Sequence, residues 1–236
     1  IRYFIGRLRE HGVRHFGHDR SVRPEDCRFV RSHDFITLPH HNFFAERMER
    51  CNRGEVLFDL PPSCLFDGKV IQAWPFWEKT REWYDDEVRA LFPYTSVIGP
   101  EGVTLPDGEQ VGLEGFCRRP QGERRYYVKY AGTDISANWG SKSVFLASSF
   151  SRDRCRELMD SVVADRDRRR YWIMQEAVRH SEPVTAFDPA GGTLDLTAYA
   201  KYSGFYGPDG LMAVLVLHRR SHKVHGSPET IASLVR

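Results

Sequence analysis

Hydrophobic and polar positions along the chain alternate with two different periods, and the points where the period changes lay out its elements. The clearest helical stretch is 151–170, SRDRCRELMDSVVADRDRRR, where Cys155, Leu158, Met159, Val162 and Val163 recur at helical spacing behind Ser151, a residue suited to cap the first turn. Residues 2–12 place Phe4, Ile5 and Leu8 on one face and stop at Gly12, and 41–54 reads as a helix closed by Gly54. Short apolar runs between turn formers predict strands at 27–30, 34–39 and 55–62, within 93–100, at the start of 126–145, and at 171–178. This early alternation of helix and strand favours an α/β sheet.

Two stretches read less directly. Residues 69–92, KVIQAWPFWEKTREWYDDEVRALF, look helical and put Trp74, Trp77, Trp83 and Tyr84 at near-helical spacing, as core residues would be, but Pro75 should break or kink such a helix. The segment 99–125, rich in Gly, charges and turn pairs such as Pro106-Asp107-Gly108, predicts hairpins and loop. Beyond it, 194–206 and 211–220 form a hairpin pattern joined by Gly207-Pro208-Asp209-Gly210.

Within YYVKYAGTDISANWGSKSVF, residues 126–145, one lysine sits in an aromatic strand and is followed by a loop of small polar residues. A lysine in such a strand either snorkels to water or faces an anion. A Gly/Ser loop exposes backbone N–H groups that wrap phosphate oxygens, and a neighbouring lysine adds a point charge for them. The outline is that of a nucleotide site, although neither G-x-x-x-x-G-K-[ST] nor G-x-G-x-x-G occurs.

Composition narrows the classes. The 236 residues suffice for one large or two small domains, and 34 Lys+Arg against 32 Asp+Glu leave a net charge of +2, too little for nucleic-acid binding by bulk electrostatics. The basic run 165–170 reads as a solvated helix end. The five cysteines, Cys27, Cys51, Cys64, Cys117 and Cys155, form no C-x-x-C pair, which indicates neither a disulfide framework nor a zinc knuckle and points to a reducing, cytoplasmic setting. No apolar run is long enough for a membrane span and the N-terminus is not a signal peptide, so a soluble protein with no membrane partner is expected. His40-His41 and His218, His222 and His225 lack the partners and spacing of a zinc site.

Taken in order, these segments resemble the ATP-grasp superfamily. Phe66-Asp67-Gly68-Lys69 is similar to its first-lysine turn and Pro93-Tyr94-Thr95 to its second turn. Lys129 is similar to its second, strand-borne lysine, Trp139-Gly140-Ser141-Lys142-Ser143 to its flap, and Gln175-Glu176-Ala177-Val178 to its adenine hinge. GEVLFDLPPSCLFDGK, 54–69, looks like the junction with a preceding pre-ATP-grasp domain in the glutathionylspermidine-synthase-like branch. The resemblance implies an α+β fold: a pre-ATP-grasp-like α/β domain over 1–62, a first ATP-grasp subdomain over 63–174 and a second over 175–236, the two subdomains clamping a nucleotide.

It further implies ATP and Mg²⁺ as cofactors and a carboxylate, small or peptidic, activated as an acyl phosphate before an amine attacks it. Lys69 and Lys129 would hold phosphates, Gly140, Ser141, Lys142 and Ser143 would cover them, and Gln175, Glu176, Ala177 and Val178 would meet the adenine. Arg219 and Arg220 are both candidates to meet the transferring phosphoryl group. The family's E-x-N magnesium motif is absent after the hinge; Asp195 is the carboxylate nominated in its place, and the usual ligands could also precede Ile1 in a longer parent chain. Two alternatives remain, a degenerate ATP-grasp scaffold that binds nucleotide or a partner without turnover, and a phosphotransferase on the same clamp.

Overall fold

The computed structural model describes Glu10 and residues 29–30, 44–58, 68–132, 134, 137, 142–167, 170–178, 181–188, 191–207, 210–221 and 230–235. It is a mixed α and β protein whose larger sheets are antiparallel. The chain divides into two compact units, Ile1–Asp67 and Gly68–Arg236. The expected domain boundary at 174/175 falls inside a strand, Trp172–Glu176.

In the first unit, β1 (Phe29–Val30) pairs in parallel with β2 (Leu57–Phe58). Between them lies α1, Phe44–Asn52, with Glu46 in its first turn and Arg50 in its last, the order that suits the helix dipole. Gly54 adopts φ 74°, a left-handed conformation that stops the helix where the sequence pattern expected it to stop. The expected helix at 2–12, apart from Glu10, and the expected strand at 34–39 lie outside the described residues.

The second unit begins with a correction. Residues 69–92 do not form a helix broken once at Pro75. They form a 3₁₀ turn at Lys69–Ala73, further tight turns, a second 3₁₀ turn at Arg81–Trp83, and the short α2, Asp86–Ala90. Pro75 supplies no N–H, and its ring sits fully buried where a continuing helix would need room. Thr80 Oγ1 donates to Trp74 O at 2.7 Å and pins the turns together, and Asp85 caps α2 by accepting from Val88 N at 2.8 Å. The tryptophans are correspondingly not all core: Trp77 is 44% exposed and Trp83 67%.

The central sheet runs β3 (Thr95–Val97), β8 (Trp172–Glu176), β6 (Tyr126–Tyr130), β7 (Val144–Leu146), every neighbour antiparallel. A short hairpin, β4 (Val103–Thr104) with β5 (Gln110–Val111), and α3, Leu113–Arg118, occupy the stretch expected to be hairpins and loop; the helix is not part of that expectation. The expected long helix is α4, Arg152–Asp167, with Ser151 Oγ accepting from Arg154 N at 3.3 Å. Cys155, Met159 and Val162 of α4 are buried as predicted, whereas Val163 is 41% exposed.

Strand alternation gives the central sheet two different faces. Val128, Tyr130, Trp172 and Met174 point to one face and pack with Phe116 and Cys117 of α3 and Cys155, Met159 and Val162 of α4. Tyr130 meets Trp172 edge-on at 5.5 Å, and Phe116 meets Tyr126 at 5.9 Å. The Cys117 and Cys155 thiols lie 3.5 Å apart in this core, and burial pushes the Cys117 thiol up to about 12, which leaves it unreactive. The register puts Thr95, Gln175, Tyr127 and Lys129 on the opposite face.

A second sheet, β9 (Ser181–Asp188), β10 (Gly192–Gly207), β11 (Gly210–Arg219) and β12 (Ile231–Val235), is an antiparallel meander. The expected hairpin is β10 with β11, closing at Gly207↔Gly210.

Candidate functional site

The polar face of the central sheet is built around Lys129. Its Nζ donates to Gln175 Oε1 across the β6/β8 pair, and its ammonium lies 5.5 Å from the centroid of the Tyr127 ring. Gln175 is 7% exposed, and its Nε2 donates both to Gln72 Oε1 and to Thr95 Oγ1 at 3.0 Å. Thr95, 1% exposed, donates its own hydroxyl proton to Pro93 O at 2.9 Å. One network therefore joins the Lys69–Ala73 turn, the Pro93-Tyr94-Thr95 turn, the lysine strand and the strand that leads into the expected hinge.

Its electrostatics are one-sided. Burial first, then the positive charges of Lys69 and Lys201, push the Lys129 amine down to about 8. Burial also lowers the Lys69 amine. No carboxylate among the described residues pairs with Lys129, so a partly buried ammonium is held by a neutral amide beside other cations. An ammonium held in this way, with no carboxylate against it among the described residues, is suited to pairing with an anion.

The amine carries a consequence for stability. Below about pH 8 it is protonated in both native and unfolded chains, and the cost of burying the charge, on the order of 3 kcal/mol, is borne in full. Between about 8 and the ordinary lysine value of 10.5 the unfolded chain holds a proton that the native chain has lost, so this cost is relieved as pH rises. The stability of wild type relative to a Lys129→Met variant should accordingly increase from pH 7.5 to 10. Urea unfolding of both proteins across that range checks it, and the difference cancels the opposing effect of buried tyrosines and thiols.

Other expected site residues fall as follows. Lys69 opens the 3₁₀ turn and is partly buried. Gly140 and Ser141, with Trp139, lie outside the described residues. Lys142 is exposed in the turn before β7, and Ser143 O accepts from Tyr130 N at 3.0 Å. Glu176 N donates to Tyr94 O and Ala177 N to Arg125 O, both at 2.8 Å, and Val178 N reaches Glu176 O at 3.1 Å. Arg219 ends β11 and Arg220 follows it, exposed. His222, Lys223 and His225 lie outside the described residues.

Asp195 on β10 is exposed and accepts from Thr185 Oγ1 at 2.5 Å. No group of three His, Cys, Asp or Glu side chains converges among the described residues. Magnesium needs several hard oxygen donors, so these residues do not fit a magnesium site.

Gln72 and Lys201 were not singled out by any sequence pattern. Gln72 lies three residues after Lys69, and Lys201 shares a face of β10 with Asp195, a period-two relation present in the sequence but with nothing to say which face mattered. A surface pocket of about 190 Å³ lined by Phe145, Phe150, Arg154, Glu157 and Leu158 belongs to the α4 side, and its Arg154–Glu157 charges are already paired at 2.5 Å. On the second sheet, Glu182 Oε1 meets His218 Nε2 at 2.6 Å and accepts from Tyr202 OH at 2.9 Å.

Comparison with protein-family models, with curated proteins and with solved structures finds no match to this chain. No helix among the described residues is long and apolar enough to cross a membrane.

Proposed function

We propose that this chain binds the phosphates of ATP at Lys129 and Lys69 and acts as an ATP-grasp carboxylate–amine ligase, forming an amide through an acyl phosphate. The observation that carries the reading is the Lys129 ammonium, partly buried against a neutral amide with Lys69 and Lys201 nearby and no described carboxylate. Phosphoryl transfer asks the protein chiefly for positioning and charge neutralisation, and fixed lysines supply both. The backbone donors of Glu176, Ala177 and Val178 are engaged within the chain, so an adenine docking there would meet carbonyl oxygens and the Val178 side chain, which is 68% exposed.

A second reading, a scaffold that binds nucleotide without turnover, is favoured by one observation: the described residues bring together no magnesium donor set. Thermal unfolding with and without Mg·ATP tests binding, which both readings share. At a ligand concentration about a hundredfold above Kd, binding stabilises by about 2.7 kcal/mol, a rise of roughly 5–10 °C for a domain of this size. ADP release that requires an added amine marks the ligase, stable phosphate incorporation into an acceptor marks a phosphotransferase, and binding without ADP release marks the scaffold. No rise with Mg·ATP would sink the nucleotide reading altogether.

A further inference from the structure

We propose that Gln175 is a positioning residue: its side-chain amide clamps the Lys129 ammonium and, being uncharged, keeps that ammonium available to a ligand anion. The proposal rests on the anion-site reading for what the lysine meets, but not for the clamp itself.

The orientation of the amide is dictated by its partners. Thr95 spends its only hydroxyl proton on Pro93 O at 2.9 Å, so toward Gln175 it can only accept. Gln175 must therefore present Nε2 to Thr95 Oγ1 and to Gln72 Oε1, both at 3.0 Å, and this turns Oε1 to Lys129. An ammonium has three donors; Gln175 takes one and leaves two for a ligand. The Gln72 bond adds a constraint, because Gln72 belongs to the turn that carries Lys69. One buried amide thus holds both amine-bearing segments in register.

Among the described residues, the groups around the amine are Lys69 from the 3₁₀ turn, Lys201 from β10, and the Tyr127 ring from its own strand, with Val144 and Ile173 as its cross-strand neighbours on β7 and β8. None is acidic. A glutamate at 175 would occupy nearly the same volume, yet it would complete an ion pair with Lys129 and neutralise the charge that a ligand anion would meet.

The test uses the full chain carrying Gln175→Glu or Gln175→Met. Titration of Lys129 is followed without any ligand, as the pH dependence of its reductive methylation read by peptide mass spectrometry. Affinity for inorganic tripolyphosphate is read separately by calorimetry. Gln175→Glu should raise the Lys129 midpoint by about one pH unit or more and weaken tripolyphosphate about tenfold or more, while Gln175→Met should lower the midpoint. The order Glu above Gln above Met is the signature of a clamp acting on the amine, and either variant alone, compared with wild type, reads its half of that order. A merely structural amide would change the unfolding temperature and leave the midpoints unchanged, which overturns the proposal. Midpoints that shift in this order, in a wild type that binds neither tripolyphosphate nor Mg·ATP, would uphold the clamp and sink the nucleotide reading.

Discussion

Lys129→Met is expected to make the protein harder to unfold and unresponsive to nucleotide. At pH 7 the native chain carries a partly buried ammonium with no described counter-ion, at a cost on the order of 3 kcal/mol. Methionine has a similar length and no charge to desolvate, so that cost disappears. Against it stands the loss of an acceptor's partner: Gln175 Oε1 is left buried without its donor, which costs about 1–3 kcal/mol. The net expectation is a gain of about 1 kcal/mol in urea unfolding. Binding moves the opposite way. The two remaining ammonium donors would make charge-assisted bonds to phosphate worth about 1.5–3 kcal/mol each, so their removal should weaken Mg·ATP by about two orders of magnitude or more. The thermal shift should then vanish at concentrations that saturate wild type. A variant that gains stability while losing ligand is the mark of a group kept for function; a variant that loses both would make Lys129 a structural residue and overturn the site.

What the sequence showed and what it hid divide along the range of the interactions involved. α4 was legible because Cys155, Met159 and Val162, its buried positions, recur at helical spacing and Ser151 announces its start, and the β10–β11 hairpin was legible from Gly207-Pro208-Asp209-Gly210 between two alternating runs. α3 was not legible: a six-residue helix carries no measurable period, and it is held by burial of Phe116 and Cys117, a tertiary cause. The aromatic spacing over 69–92 suggested a helix because tryptophans in successive tight turns also recur every few residues, yet Trp83 faces solvent. At the site, Lys129 could be picked out locally as a charge in an aromatic strand. Its surroundings could not, since Gln72 and Gln175 meet across 103 positions and the strand order β3-β8-β6-β7 leaves no mark in any window of sequence.

Phe116→Ala carries the largest expected loss of stability. Phe116 of α3 is 0% exposed and packs in the core on the face of the central sheet opposite Lys129, against Tyr126 and with side chains of β6, β8 and α4. Truncation removes the transfer energy of the ring and leaves a cavity that a close-packed core fills only in part, about 3–5 kcal/mol together. Phe116→Leu keeps much of the volume and should cost under about 2 kcal/mol. Both values are measurable by urea unfolding. The variants also ask how far the two faces of the central sheet are independent. Val128 points into the core and Lys129 points away from it, so the same strand serves packing on one side and the cationic cluster on the other. If the faces are independent, Phe116→Ala below its unfolding transition should bind Mg·ATP within about threefold of wild type, because the Gln175 network is anchored by Thr95 and Gln72 and not by the core. A large loss of affinity in the still-folded variant would mean that the position of Lys129 depends on how α3 seats the sheet, and the energetic cost of its burial would then be set by the whole fold.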